Sequence, residues 1–148
     1  MIYHLQFREW IKSQHDIDCN QQYNKTLPYS FHLGLVANFA NKFIHLIPDD
    51  KIFDPFDSKS PNVNLRDIVV DAAWGHDLIE DARVTYNDVW QKASKFYQNS
   101  VAGLIFADIV YSCTELRGRD RNERHGDEYL QGLKDLEWGL FVKLCDIQ

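Results

Sequence analysis

Between Ser30 and Leu46 the apolar residues recur at helical rather than strand spacing, and a histidine sits among them. At about 100° per residue, His32, Val36, Phe39 and Phe43 fall on one line. Leu33, Ala37, Ala40 and Ile44 fill the adjoining arc, while Asn38, Asn41, Lys42 and His45 lie opposite. His32 is therefore expected to point inward and His45 outward. The same conflict appears twice more. A helix is expected from Leu65 to about Asp81, with Leu65, Val69, Ala72, Ala73 and His76 on one side and Glu80 one turn on. Another, from Leu136 to Asp146, is apolar nearly all round except Glu137 and Lys143, and it carries Asp146 in its last turn. Burying ionisable groups costs several kcal/mol each unless something satisfies them. Several such groups on faces that should pack against one another call for one shared explanation.

The remaining segments agree with a helical chain. Ile2 to Ser13 is a short amphipathic helix offering Leu5, Trp10 and Ile11 to the core, and His15 to Leu27 is polar and irregular. Ser30 after Pro28 is a good N-cap for the helix that Pro48 ends. Residues 49–64 form a Pro/Asp/Ser-rich loop, Asn64 caps the next helix with Asp67 in its first turn, and Thr85-x-x-Asp88 signals another helix to about Gln98. Val101 to Cys113 is apolar, and 114–127 is a polar stretch. No strand pair, repeat or low-complexity tract is evident. The expected fold is a single all-α domain over residues 1–148.

Composition narrows the function classes. A chain of 148 residues fits one domain that buries roughly 70% of its unfolded surface. A net charge of −6 argues against DNA as a partner. Cys19, Cys113 and Cys145 are scattered, with no CxxC, which fits a reducing compartment rather than a disulfide framework. The first ten residues lack a secretory pattern, and Asp108 interrupts the longest apolar run, so no membrane partner is expected. A cytoplasmic protein is expected, with self-association left open.

Four features carry chemistry: His32, the pair His76-Asp77, the pair Glu80-Asp81, and Asp146. Two imidazoles and two carboxylates make a borderline N/O donor set suited to one divalent ion such as Mn²⁺, Fe²⁺ or Zn²⁺. His76 and Glu80 are spaced i,i+4, as are Asp77 and Asp81. One helix would then present ligands and, a turn away, carboxylates able to orient or deprotonate a water.

Pro28-Tyr-Ser-Phe-His32, Ala72-Ala-Trp-Gly-His-Asp-Leu-Ile-Glu-Asp81 and Phe141-Val-Lys-Leu-Cys-Asp146 occur in that order. Together they resemble the HD-domain metal-dependent phosphohydrolases, above all the (p)ppGpp hydrolase domain of RelA/SpoT-type enzymes and small alarmone hydrolases. The similarity runs from about Pro28 to the C-terminus. It implies a compact helical HD domain around a central metal, with His32, His76, Asp77 and Asp146 as ligands. The ion would be Mn²⁺, with Fe²⁺, Zn²⁺ or Co²⁺ as alternatives. Glu80 and Asp81 match the acidic pair that serves water activation, and the implied reaction is hydrolysis of the 3′-pyrophosphate of (p)ppGpp.

The chain also departs from that pattern. The basic segment usual before the first motif is reduced to Cys19-Asn-Gln-Gln-Tyr-Asn-Lys25, and Ile147 follows Asp146 where the family continues Asp-Arg-x-x-Asn. Lys25, Thr114, Arg117, Arg121 and Arg124 are the expected contacts to a small phosphorylated substrate, Arg117 and Arg121 pairing best by turn geometry. Glu115, Asp120 and Glu123 interleave with the arginines, so a self-neutralising loop is the competing expectation. Two other functions stay open: hydrolysis of another nucleotide or phosphoester, and a non-catalytic nucleotide- or protein-binding module. Cys145 is expected to pack, and His4, His15, His45 and His125 to be ordinary surface residues.

Overall fold

The computed structural model describes residues 2–115, 124, 126–136 and 138–147. Its architecture is mostly helical, as the apolar spacing predicts. The helices are α1 (Ile2–Ser13), α2 (Ser30–Lys42), α3 (Leu65–Gly75), α4 (Tyr86–Tyr97), α5 (Ser100–Cys113), α6 (Asp127–Asp135) and α7 (Gly139–Asp146). Among the described residues no helix is long and apolar enough to cross a membrane. Helix α3 runs through the middle, packed on α1, α2, α5 and α7, and its Ile68, Val69, Ala72 and Ala73 are buried. Such burial on every side explains why α3 carries so few polar positions.

Two short antiparallel ladders were not foreseen. Gln22–Tyr23 (β1) pairs with Leu27–Pro28 (β2), and Lys51–Ile52 (β3) pairs with Val63–Asn64 (β4). Each is two residues long, too short for the alternation by which a strand is recognised. The first closes through Asn24 and Lys25, both left-handed at φ 51° and 65°. Helix α6 also went unforeseen, because its apolar face is narrow, with Tyr129 and Leu133 as its buried residues.

Several boundaries differ from expectation for physical reasons. Helix α2 is capped not by Ser30 but by Asp16, whose Oδ1 accepts the Ser30 N–H at 2.9 Å. The acceptor of that cap is supplied from 14 residues upstream, by a π-helical turn (Gln14–Asp18) that continues α1. Leu5 is exposed, and Phe7 takes its place in the core beside Ile11. Phe43 is also exposed; α2 ends at Lys42, so a 3₁₀ turn (Ile44–Leu46) carries the chain away from the helical line. The caps at Asn64 and Thr85 form as the sequence predicts, the second as a reciprocal capping box. Gly103 lets α4 and α5 touch, since a Cβ there would stand 2.6 Å from the Ser94 backbone nitrogen.

The rotation of α3 is fixed by Asp71, which is fully buried. Its Oδ1 accepts from Arg8 Nε at 2.8 Å, and its Oδ2 from Tyr97 Oη at 2.8 Å and His4 Nδ1 at 2.7 Å. His4 is thus no ordinary surface residue, because α1 lays it on α3. One carboxylate ties α1, α3 and α4, with every partner charged or hydrogen-bonded. The hydrogen bond from His4 to Asp71 lifts the imidazole above its ordinary value, against the opposing pull of burial. A group with a raised folded pKa stabilises fully below its unfolded value, 6.5 here, and loses that contribution as pH rises through the folded value. Replacing His4 by Asn should therefore cost most stability at mildly acidic pH and progressively less toward alkaline pH. Urea midpoints of both proteins across that range check this, and a constant difference would contradict it.

Candidate metal centre

Helix α3 stops at Gly75, earlier than the expected end near Asp81. Three carboxylates beyond that point oppose the negative end of the helix dipole, which disfavours continuing the helix through them. The His76 Nδ1–H donates to the Ala73 carbonyl at 2.8 Å, satisfying one of the carbonyls the helix end leaves open. Tight turns follow, with Leu78 N donating to Gly75 O and Asp81 N to Asp77 O. Leu78 drops into the core and His76 is wholly buried.

With Nδ1 occupied, His76 aims Nε2 into a set of converging donors. Asp77 Oδ2 lies 3.0 Å away and Asp146 Oδ1 3.2 Å away. His32 Nε2, from α2, stands 3.2 Å from the same Asp146 oxygen and 3.7 Å from the same Asp77 oxygen. Donors at about 2.1 Å from one ion are separated by about 3.0 Å in octahedral and about 3.4 Å in tetrahedral geometry. The four distances bracket that interval. His32, His76 and Asp77 each offer an atom within 4.8 Å of the others. Asp146 joins from the last turn of α7, so all four residues expected as ligands are brought together.

Electrostatics make the set demanding. Among the described residues His76 Nε2 is buried without a hydrogen-bond partner. The two carboxylate oxygens stand 3.0 and 3.2 Å from it, and their charges dominate the contact. Burial pulls the His76 imidazole down, but the charges of Asp77 and Asp146 outweigh it and lift the group to about 10. Burial pushes the Asp77 carboxyl up, but His76 and the Tyr29 hydroxyl overcome this and hold it at about 2. Asp146 falls further below the carboxylate range, since His32, His76 and Lys143 together outweigh its burial. A buried lone pair beside two carboxylates needs a cation between them: a proton, or a metal ion. The donor set can hold either.

Supporting residues surround the set. Lys143 Nζ donates to Asp146 Oδ2 at 2.9 Å, leaving Oδ1 turned toward the imidazoles. Tyr29 Oη donates to Asp77 Oδ2 at 2.6 Å and reaches Asp81 Oδ2 at 3.1 Å. The Tyr23 ring lies nearly parallel to His32, with centroids 5.4 Å apart. Sequence reasoning gave none of these three a role. The i,i+3 spacing of Lys143 and Asp146 on one helix was the signal available for the lysine.

The acidic pair divides rather than sharing a helical face. Glu80 turns toward α5, where its Oε2 accepts the Glu115 N–H at 3.4 Å. Although Glu80 keeps contact with solvent, partial burial, then Glu115 and Asp77, lift its carboxyl to about 7. Asp81 turns the other way, toward Tyr29 and Gln21.

Of the expected substrate contacts, Thr114 ends α5 beside Glu115, with its hydroxyl on the Val110 carbonyl at 3.3 Å. Lys25 is exposed at the tip of the β1–β2 hairpin whose Tyr23 covers His32. Arg124 is exposed and its Nε stands 3.9 Å from Glu115 Oε2, in line with the self-neutralising alternative. Arg117 and Arg121 lie outside the described residues, as does His125. His45 is exposed and Cys145 buried, both as expected. His15, expected at the surface, is completely buried, because the π-helical turn rotates it under Tyr29.

No family model matches this chain, and neither a curated protein nor a solved structure does. Chelator-stripped protein is expected to take up one Mn²⁺ per chain, measured by calorimetry and elemental analysis. His76→Ala should abolish the uptake, and Lys143→Met should weaken it by about 10-fold, the lower end for a residue that orients a ligand. Undiminished uptake by His76→Ala would place any bound ion elsewhere.

Proposed function

We propose that this chain is a divalent-metal-dependent phosphohydrolase acting on a nucleotide, built as an HD-type domain. The observation that carries this reading is the buried His76 Nε2, which faces two carboxylates and a second imidazole without a hydrogen-bond partner among the described residues. The order and spacing of the three motifs add the resemblance to (p)ppGpp hydrolases, so the 3′-pyrophosphate of (p)ppGpp is the leading substrate.

His32, His76, Asp77 and Asp146 would hold the ion. When bound, it supplies Lewis acidity toward a phosphoryl oxygen and makes water a better nucleophile at neutral pH. The chain's own residues do the rest. Glu80, with a carboxyl near neutrality, takes the proton that the attacking water gives up. Lys143 and Tyr29 keep the ligating carboxylates from rotating, through bonds of 2.9 Å and 2.6 Å. Asp81 stands across the site from Glu80 and helps orient the water.

A second reading, a phosphoester with fewer charges, is favoured by the described rim. Glu80, Asp81 and Glu115 are acidic, Lys143 is committed to Asp146, and Arg124 stands beside Glu115. A substrate rich in phosphates would meet few free cations there.

Incubating Mn²⁺-loaded protein with a panel of nucleotides, including (p)ppGpp, distinguishes the two readings by whether pyrophosphate or orthophosphate is released. Glu80→Gln is expected to retain metal and fold while kcat falls by about 10²–10⁴. Parallel loss of metal and activity would make Glu80 a ligand instead. Failure of the metal-loaded protein to hydrolyse any phosphorylated compound would overturn the reading.

A further inference from the structure

The π-helical turn after α1 does more than cap α2. It buries His15 completely and stacks its ring on Tyr29, with centroids 5.0 Å apart and planes 26° from parallel. Asn20 then adopts a left-handed conformation at φ 46°, and the chain doubles back so that the Gln21 N–H donates to the His15 carbonyl at 2.8 Å. This brings the two side chains together, His15 Nδ1 to Gln21 Oε1 at 2.8 Å. Gln21 in turn donates from Nε2 to Asp81 Oδ2 at 3.2 Å. The same segment also reaches the following turn through Cys19 Sγ, 3.4 Å from the Ala82 carbonyl.

The direction of this chain is set at its acidic end. A carboxylate accepts and cannot donate, so the Gln21 amide must present its NH₂ group to Asp81 and its oxygen to His15. That oxygen in turn requires the hydrogen of a neutral His15 to sit on Nδ1. Burial holds the imidazole below its ordinary value, consistent with the neutral ring. Tyr29 cannot take over the task of Gln21. Its hydroxyl has one hydrogen and two carboxylate neighbours, and Asp77 at 2.6 Å is closer than Asp81 at 3.1 Å. Asp81 Oδ2 therefore depends on Gln21 for a full hydrogen bond. Among the described residues no hydrogen bond engages Asp81 Oδ1, which leaves it able to accept from a water or a substrate hydroxyl.

We propose that His15 and Gln21 are positioning residues that hold Asp81 with one oxygen tethered and the other presented to the reaction site. This rests on the hydrolase reading for its kinetic consequence, while the hydrogen-bonded chain itself does not.

Three variants separate the parts. Gln21→Met keeps the volume and removes both hydrogen bonds. His15→Phe keeps the stacked ring and loses the donor, whereas His15→Asn keeps a donor near the Nδ1 position. Gln21→Met is expected to bind Mn²⁺ within about twofold of wild type, with kcat about 10-fold lower and KM little changed, less than the about 10²–10⁴ of an acid–base group itself because Gln21 acts only through Asp81. His15→Asn should retain more kcat than His15→Phe. In an Asp81→Ala background Gln21→Met should add no further loss, since the pair acts through that carboxylate. Wild-type kcat in a folded Gln21→Met protein, or an undiminished loss in the Asp81→Ala background, would overturn the proposal.

A readout independent of turnover accompanies these. The Gln21 side-chain amide protons should exchange slowly with solvent by NMR and lose that protection in Asp81→Ala, and the nitrogen spectrum of His15 should show the Nδ1–H tautomer. Rapid exchange in wild type, or the other tautomer, overturns the relay even where hydrolysis is found. Both signatures present in a protein that hydrolyses nothing support the tether, and the hydrolase reading alone then falls.

Discussion

A wholly buried imidazole facing two carboxylates is costly to assemble, and much of the described fold serves to impose it. His76 cannot turn away, because its Nδ1–H is committed to the Ala73 carbonyl. Nor can the carboxylates withdraw, since Lys143 holds Asp146 and Tyr29 holds Asp77. The helix that ends in His76 is in turn locked by Asp71, about one turn earlier, through His4, Arg8 and Tyr97. Buried ion pairs of this kind add little net stability over apolar packing, but removing one partner is costly. Asp71 therefore works as a rotational lock on α3. It gives α3 a single setting, and that setting points Nε2 at the carboxylates.

How much of this was legible in the sequence depends on whether a feature was local or assembled from afar. His32 on an apolar helical line, and Asp146 in an otherwise apolar segment, announced themselves because burial of a charged residue breaks a periodic pattern. The caps at Asn64 and Thr85 were equally readable, since donor and acceptor lie within three residues. The cap on α2 was not, because Asp16 arrives from another element. His15 failed for a different reason. It opens a polar, irregular segment with no periodic pattern to give it a face, and the π-helical turn that buries it continues α1 beyond the expected end at Ser13. The end of α3 was misplaced because apolar spacing continues through Leu78 while electrostatics and the His76 bond end the helix at Gly75. Convergence of the four donors follows from chain order only through the motif resemblance; periodicity alone gives each a face, not a neighbour.

The early end of α3 has a consequence for the acidic pair. On a continuous helix, His76 and Glu80 would share one face and Asp77 and Asp81 the next, placing both acids in similar surroundings. The turn instead sends Glu80 toward another carboxylate, Glu115, and toward partial burial, both of which favour its protonated form. It sends Asp81 toward two hydrogen-bond donors, Gln21 and Tyr29. Two carboxyls adjacent in sequence thus meet opposite environments. Glu80 is the group able to change charge near neutral pH. The chain reversal after the π-helical turn, which brings Gln21 to Asp81, thus acts on the same short turn that the helix end at His76 begins.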